Sequence, residues 1–250
     1  MAKIIWKGVA KKDDPIYGGG FIISYPKRKS SAYIDKTDTK NQKNNNNKGL
    51  ENEKKENDFG KILNIEFKSG KSKIISIGHR NPQGLYYSKK NNFIISTEHG
   101  PKGGDEININ HEPQKKTKNF GWPIASYGEH YYKNYSKEIL DQAPLNKSHK
   151  KYGFEEPIKY FVPSIGISEI ISLDVDDKEF LIGAMGNEIA EQDLGLHLIK
   201  LDNKRKKIIK HKYIPLNERV RDMVISKNKK ILILFLETTS SLAIIKKSPY

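Results

Sequence analysis

One stretch of the sequence, residues 77–107, concentrates side chains that can bind anions, hold carbonyl oxygens or exchange protons. It contains GHRNPQGL, with Arg80, Asn81 and Gln83, and then TEHGPKGGDEIN, with His99 and an acidic pair. These polar residues flank short apolar runs, at the places where strands would end. An arginine fork suits carboxylates, and side-chain amides can hold carbonyl oxygens. The stretch therefore indicates a binding site assembled from strand ends.

Each of these residues also has a purely structural interpretation. Arg80 or Gln83 alone would more often satisfy the carbonyl groups of a loop than bind a ligand, so it is the whole motif that favours binding. No pair of histidines has the spacing of a zinc site. His79 is expected to be packed and hydrogen-bonded, and His99 stays open between a structural and a functional role. The remaining histidines, His149 among them, are expected at the surface or in structural positions.

Two further patterns lie outside that stretch. Arg219 and Arg221 alternate along a predicted strand and share one face, which suits either the wall of a pocket or a solvated edge. The run FGWP, residues 120–123, precedes Tyr127 and other tyrosines. This run favours a packed aromatic corner over a platform for a sugar.

The elements that must position these residues are short strands. Apolar runs of four to six residues, such as GFIIS, KIISI, EFLIGA and KILILFL, recur between turn residues along the sequence. Few stretches keep a helical period over ten residues or more. Many short strands separated by turns are typical of an all-β sandwich, barrel or propeller.

A repeat distinguishes among these folds. QGLYYSKKNNFIIST, residues 83–97, matches RDMVISKNKKILILF, residues 221–235, and weaker copies occupy residues 19–34 and 169–184. Each copy is a strand, a polar turn and a second strand. Once insertions are allowed for, the spacing approaches the ~40–50 residues of a four-stranded propeller blade. One complete antiparallel blade is expected within residues 83–126.

The sequence is interpreted as a single β-propeller domain covering residues 1–250. Residues 41–57, NQKNNNNKGLENEKKEN, have the composition of a disordered loop insertion within that domain. Four blade starts are fewer than most propellers have.

Composition excludes several classes of function. The chain has 250 residues, no cysteine and a net charge of +15, so disulfides, thiolate nucleophiles and cysteine-based zinc sites are excluded. The lysines are scattered and accompany no nucleic-acid motif, so specific nucleic-acid binding is not expected. No apolar run is long enough to span a membrane, and no secretory signal opens the chain. A cytoplasmic location is expected for the chain as written, or a periplasmic one if a signal-bearing segment lies upstream.

The motifs GHRNPQGL, TEHGPKGGDEIN and NFGWPIASYG occur in an order and spacing that resemble the soluble quinoprotein glucose/sorbosone dehydrogenase family. Weaker similarity continues through YFVPSIGISEI, FLIGAMG and ERVRDMV to the end of the chain. The resemblance implies a six-bladed β-propeller that binds pyrroloquinoline quinone (PQQ) and calcium and oxidises aldose sugars. The reaction implied is transfer of a hydride from sugar C1 to the quinone, with calcium polarising the quinone carbonyl and a base accepting the hydroxyl proton.

The resemblance also assigns roles to residues. Arg80, Asn81 and Gln83 would face the quinone and the substrate, and Arg219 and Arg221 would grip the cofactor. The calcium, a cation that prefers oxygen ligands, would be bound by the main-chain carbonyls of two further residues, Gly100 and Pro101. The acidic pair that follows, Asp105 and Glu106, would orient this loop or touch a second calcium.

The sequence departs from the family in two positions and in length. The histidine that serves as the base is replaced by Ile16, and the lysine that binds the cofactor is replaced by Gly186. One or two blades also have no counterpart in the chain. The first hypothesis is therefore a shortened or weakly active sugar dehydrogenase dependent on PQQ and calcium. The alternative is a non-catalytic propeller that binds a small molecule or a protein partner, in an oligomeric state that the sequence leaves open.

Overall fold

The computed structural model describes residues 22–24, 29–34, 60–66, 71–132 and 134–246. Within these ranges the protein is almost entirely β, with one short α-helix, α1 (Lys137–Gln142), and two single turns of 3₁₀-helix. The all-β prediction is confirmed. The expected loop insertion at residues 41–57 and the position of Ile16 lie outside the described residues.

The sixteen described strands are short, as the runs of apolar residues predicted. In chain order they are β1 (Ile22–Ser24), β2 (Lys29–Ile34), β3 (Lys61–Glu66), β4 (Ser72–Ile77), β5 (Pro82–Ser88), β6 (Phe93–Glu98), β7 (Asp105–His111), β8 (Lys118–Asn119), β9 (Lys159–Phe161), β10 (Ile167–Ser172), β11 (Glu179–Met185), β12 (Leu194–Leu201), β13 (Ile208–Pro215), β14 (Val220–Ile225), β15 (Ile231–Leu236) and β16 (Ser241–Lys246).

The strands form four sheets that follow one another along the chain. Sheet I has the order β1-β2-β3-β4-β8, sheet II β5-β6-β7-β9, sheet III β10-β11-β12-β13 and sheet IV β14-β15-β16. All neighbours are antiparallel except β4 and β8, which are parallel. Each copy of the sequence repeat coincides with the first two strands of one sheet, so the repeat identified the unit from which the fold is built.

One expected blade differs from the structure. Residues 83–126 supply three strands of sheet II, but its fourth strand is β9, residues 159–161, paired with β7. The intervening chain leaves the sheet and follows β4, where Phe120 N donates to Ile77 O at 2.9 Å and Trp122 N donates to Gly78 O at 3.0 Å. This excursion brings the FGWP run beside the end of β4, a placement that no local pattern could predict.

Neighbouring sheets pack through their apolar faces. Sheets I and II enclose a small cluster that includes Ile62 and Leu85. Sheets II and III share the largest cluster, with Phe93 and Phe180 at its centre, and sheets III and IV share another around Met223. Burial of these faces supplies the main stabilising free energy, at about 25 cal/mol per Å² of apolar surface.

Close contact between sheets II and III requires a glycine. A Cβ atom on Gly84 would lie 2.6 Å from the main-chain nitrogen of Ile170, so any side chain there would push β5 and β10 apart. Hydrogen bonds continue across the same junctions, from Thr97 Oγ1 to Ser168 O at 2.6 Å and from Ser168 Oγ to Val220 O at 2.5 Å. These bonds hold the starts of β10 and β14 beside the end of β6.

In the ranges that the structure covers, no helix is long and apolar enough to cross a membrane.

Truncation of Phe180 to alanine should lower the free energy of unfolding by about 3–5 kcal/mol, because its ring is fully buried against Tyr86 and Phe93 at centroid distances of 5.6 and 6.4 Å. Urea denaturation followed by tryptophan fluorescence measures the change. The control is Ile209→Ala on β13, where the side chain is 56% exposed; it should change stability by less than about 0.5 kcal/mol. Similar losses in both variants would contradict the assignment of this core.

Candidate functional site

A small pocket forms where three segments meet: the end of β4, the end of β6 and the FGWP excursion. His99 N donates to Asn81 O at 2.9 Å, which joins the first two segments. The pocket has a volume of about 220 Å³ including its open mouth. Its walls are formed by Gly78, Arg80, Glu98, His99, Gly100, Glu106, Phe120, Trp122, Ala125, Ser126 and His149.

Arg80 lies at this pocket and is held from two sides. Its Nη1 atom donates to the carbonyl oxygen of His99 at 3.1 Å, and its guanidinium carbon lies 5.3 Å from the ring centroid of Trp122. The cation–π contact and the single carbonyl bond orient a half-buried guanidinium while leaving other N–H groups for a ligand. This geometry is the strongest support for the functional interpretation of the motif.

Beneath Arg80 lies a buried carboxylate, Glu98. Its Oε2 atom accepts a hydrogen bond from Arg80 N at 2.8 Å, and its Oε1 atom accepts from Asn108 Nδ2 at 2.7 Å and contacts His79 Nδ1 at 3.2 Å. Burial favours the neutral acid, but the charge and hydrogen bond of His79 and the main-chain donor together hold the pKa of Glu98 below its ordinary value. His79 is packed and hydrogen-bonded, as its sequence context predicted, with Ser76 Oγ 2.8 Å from its second nitrogen.

A second buried carboxylate, Glu106, lies in the same pocket, and its pKa is shifted in the opposite direction from that of Glu98. Burial raises its pKa, and the nearby charge of Glu98 adds to the effect. His149 Nε2 lies 3.1 Å from Glu106 Oε1, and its Nδ1 atom donates to Phe120 O at 2.8 Å. Burial disfavours the charged form of His149, but contact with Glu106 outweighs this and raises the histidine pKa.

The pairing of His149 with Glu106 was missed by sequence reasoning. The sequence placed His149 at the surface or in a structural position, whereas the structure buries it in a wall of the pocket. The two residues are 43 positions apart and share no motif, so no sequence signal connects them.

Tyr127 stacks on His149 with a centroid distance of 5.5 Å and on Tyr160 at 3.6 Å. Phe120 and Tyr127 are therefore packed, as expected, whereas Tyr131 and Tyr132, which were expected in the same corner, are exposed.

The loop after β6 is a tightly folded turn. A Cβ atom on Gly100 would lie 2.3 Å from the carbonyl oxygens of both Gly103 and Gly104, so only glycine fits there. Asp105, fully buried, accepts hydrogen bonds from Gly100 N at 3.2 Å and from Ile167 N at 2.9 Å. Asp105 therefore orients the loop, which is one of the two roles considered for it.

The same loop contains two carbonyl oxygens of interest. Gly100 and Pro101 are both buried, and none of the hydrogen bonds between described residues ends on their carbonyl oxygens. Buried carbonyl groups are nearly always paired with a donor, water or an ion. In the described ranges no group of three or more His, Asp or Glu side chains could hold a metal, so a cation here would depend on main-chain oxygens.

His99 lies between Arg80 and the start of β10. Its Nε2 atom is 2.6 Å from Ile167 O, which can only accept, so this nitrogen carries the proton. Burial lowers the pKa of His99, and the positive charges of Arg80 and Arg221 oppose its protonation further.

Asn81 and Gln83 are half-buried and bonded to each other. Gln83 Nε2 donates to Asn81 Oδ1 at 2.5 Å. The contact constrains both amides at the start of β5. A ligand that binds either amide would have to compete with this hydrogen bond.

Arg219 and Arg221 share one face, as their alternation predicted, and both bind Glu237. Arg219 Nε lies 3.2 Å from one carboxylate oxygen, and Arg221 Nη2 lies 2.8 Å from the other. These hydrogen bonds lower the pKa of Glu237, the bond from Arg221 contributing most. The arginine pair is therefore partly neutralised by a residue that sequence reasoning did not single out.

Gly186, at the family's lysine position, has no room for a side chain. A Cβ atom there would lie 1.9 Å from a carboxylate oxygen of Asp193. Arg219 Nη1 donates to the carbonyl oxygen of Gly186 at 3.0 Å. A guanidinium group therefore lies beside the main chain of Gly186.

Comparison with solved structures defines the class of the fold. A glucose dehydrogenase aligns with 99% of this chain and 68% of its own length, with a TM-score of 0.70 and 23% identity. The apo-form of the soluble aldose sugar dehydrogenase from Escherichia coli aligns with 94% of this chain and 65% of its own, with a TM-score of 0.66 and 23% identity. The fold is that of the soluble sugar dehydrogenases.

Sequence comparison gives the family. The glucose/sorbosone dehydrogenase family model matches residues 3–244, and the chain belongs to this family. Relatives include aldose sugar dehydrogenase YliI of Escherichia coli, 36% identical over 126 residues, and quinoprotein glucose dehydrogenase B of Acinetobacter calcoaceticus, 40% identical over 91. The matches cover 48% and 35% of this chain but only 31% and 17% of those proteins, so the chain matches less than a third of either relative.

Replacement of Glu98 by glutamine should destabilise the protein by about 3 kcal/mol near pH 7, the lower end of the cost of breaking a buried ion pair. Because the folded-state pKa of Glu98 is lowered, its stabilising effect is present above the unfolded-state pKa and is lost as the pH falls through the folded-state value. Urea denaturation from pH 7 to pH 3 should therefore show the difference from wild type shrinking. Exposed Glu129→Gln is the control and should show little difference. A difference that grows toward pH 3 would contradict an ionised Glu98.

Proposed function

We propose that this chain is a PQQ- and calcium-dependent aldose dehydrogenase, shortened or weakly active, whose four sheets are blades of a six-bladed type of propeller. One observation carries the proposal. The pocket combines an oriented arginine, Arg80, with Gly100, which begins a buried turn that Pro101 continues. An anionic cofactor and a hard cation together require this combination of donor and acceptor groups.

The calcium component is supported by the main chain rather than by side chains. Gly100 and Pro101 are buried residues, and none of the hydrogen bonds between described residues ends on their carbonyl oxygens. Hard cations prefer oxygen ligands of this kind. Asp105 fixes the turn through Gly100 N. The turn would therefore present its oxygens with little reorganisation.

The quinone component is supported by positive charge at the mouth of the pocket. Arg80 lies there, with its guanidinium group beside the Trp122 ring. PQQ would supply a hydride acceptor when bound, and calcium would polarise it. Arg80 would bind a carboxylate, and the Trp122 ring beside it would exclude water from that contact. The pocket is a small depression that opens to solvent, so a cofactor would lie across its mouth.

The alternative, a non-catalytic propeller that binds a small molecule or a protein, is favoured by specific observations. Ile16 cannot accept a proton, Gly186 has no space for a lysine, and Glu237 partly neutralises the arginine pair. Binding without turnover would satisfy all three.

Replacement of Arg80 by alanine should weaken PQQ binding by about 1.5–3 kcal/mol, roughly 10- to 150-fold, the range for a hydrogen bond to a charged group. Isothermal titration of the protein with PQQ, with and without calcium, measures it. Arg205→Ala is the matched control, since this arginine bonds to Asn203 O and Asp176 O on the β12–β13 side of sheet III. Equal affinities for wild type and Arg80→Ala would remove Arg80 from the site.

The chain should oxidise glucose and other aldoses slowly even when PQQ and calcium are supplied. General-base catalysis contributes about 10²–10⁴-fold, and the family's base position holds Ile16. A dye-linked assay measures turnover across several aldoses. Turnover above roughly 10 s⁻¹, the median for enzymes, would show that another residue accepts the proton. Tight PQQ binding with no turnover would favour the non-catalytic alternative.

A further inference from the structure

Five turns of sheets II to IV lie at the end of the strands that is opposite the pocket. The pocket contacts the end of β6, and the starts of β10 and β14 lie beside that end. Because neighbouring strands are antiparallel, the other ends of these strands share one side of the protein. This side, here termed the turn face, consists of residues 89–92, 112–117, 173–178, 202–207 and 226–230.

Direct contacts join the turns into one surface. The Asp176 side chain pairs with Lys90 at 2.5 Å, and its carbonyl oxygen accepts a hydrogen bond from Arg205 Nη2 at 2.8 Å. These contacts connect the β10–β11 turn to the β5–β6 and β12–β13 turns. Lys229 Nζ, from the β14–β15 turn, donates to Ser172 O at 2.5 Å. Packed sheets lie about 10 Å apart, so the turn face extends over roughly 20 Å.

The turn face has a strong excess of positive charge. Its five segments contain twelve Lys and Arg residues and five Asp and Glu residues, which gives a net charge of +7. The connections at the pocket end of sheets III and IV, residues 186–193 and 237–240, contain four acids and no base. A general enrichment in lysine would supply both ends alike. The excess is therefore a property of the turn face.

The acids of the turn face are engaged within it, whereas half of its cations are not. Each of the five acids accepts hydrogen bonds from hydroxyl or main-chain groups nearby, or pairs with a lysine. Among the described residues, six exposed lysines have no hydrogen-bonding or ion-pair partner for the ammonium group. They are Lys116, Lys204, Lys206, Lys207, Lys227 and Lys230.

The residue types of the turn face favour a broad anionic surface over a nucleic acid. Eleven of the twelve cations are lysines, which are point charges without the fork of an arginine. The five turns contain no aromatic residue on which a base could stack. They do contain an exposed apolar side chain, Val175, which is 78% exposed in the β10–β11 turn.

We propose that the turn face binds the surface of a lipid bilayer that contains anionic headgroups. Each lysine close to such a surface strengthens binding by about fivefold, and Val175 would lie at the level of the headgroups. The pocket, at the opposite end of the strands, would face the solution. Turns at strand ends stay accessible when a further sheet packs on a face of sheet IV. The proposal is independent of the proposed function.

Sedimentation with vesicles tests the attraction. At about 0.1 M salt, wild type should bind vesicles of phosphatidylcholine with about 30% phosphatidylglycerol and should not bind phosphatidylcholine alone. Salt of about 0.5 M should release it, because screening shortens the reach of the charges. The double variant Lys206→Gln, Lys207→Gln should bind about tenfold more weakly.

The matched control for this variant is a second pair of adjacent lysines. Lys150→Gln, Lys151→Gln removes the same charge from exposed residues in the excursion between β7 and β9, and it should bind within about twofold of wild type. Equal losses in the two double variants would overturn the proposal, since net charge alone would then explain binding. Binding of wild type to a nucleic-acid duplex but not to the anionic vesicles would overturn it as well.

A fluorescent label tests the orientation, and the absence of cysteine allows a single labelling site. Nitrobenzoxadiazole attached to Val175→Cys should brighten and shift to the blue when anionic vesicles are added, because the label enters the headgroup region. The same label on Gln142→Cys, an exposed position at the end of α1, should not respond. A response at position 142 without one at position 175 would overturn the assignment of the turn face.

Discussion

The candidate site depends on the buried Glu98 carboxylate. A charge removed from water is tolerated only when donors surround it, and the donors to Glu98 come from the segment after β4 and from β7. Satisfying this one anion fixes the distance between those segments. It also holds the main chain of Arg80, so the orientation of the guanidinium at the pocket follows from the requirement to satisfy a charge beneath it.

A second carboxylate makes the pocket electrostatically asymmetric. Asn108 Nδ2 bonds to Glu98 at 2.7 Å and lies 3.3 Å from Glu106, so one amide links two acids whose pKa values shift in opposite directions. Burial and the charge of Glu98 disfavour the charged form of Glu106, whereas its neighbours favour the charged form of Glu98. His149 contacts the acid whose pKa is raised.

Family membership accounts for the fold, whereas the details of the site depend on local packing. The fold is that of the soluble sugar dehydrogenases. At position 186 the Asp193 carboxylate fills the space of a side chain, and Arg219 reaches the same place. The packing around Gly186 therefore excludes a lysine side chain and places a guanidinium group beside the main chain instead.

The sequence by itself determined the strands, the four repeated hairpins and the stretch that carries the site, because these depend on the period of apolar residues and on local turns. It also indicated the buried role of His79. Only the tertiary structure decided that His149 meets Glu106, that Glu237 pairs with Arg219 and Arg221, and that β9 rather than the FGWP segment completes sheet II. The first and last of these contacts involve the long excursion between β7 and β9, and the Glu237 contact depends on the register of one hairpin. Their energies depend on distances that no local pattern contains. The burial that raises the pKa of Glu106 likewise exists only once the sheets have packed.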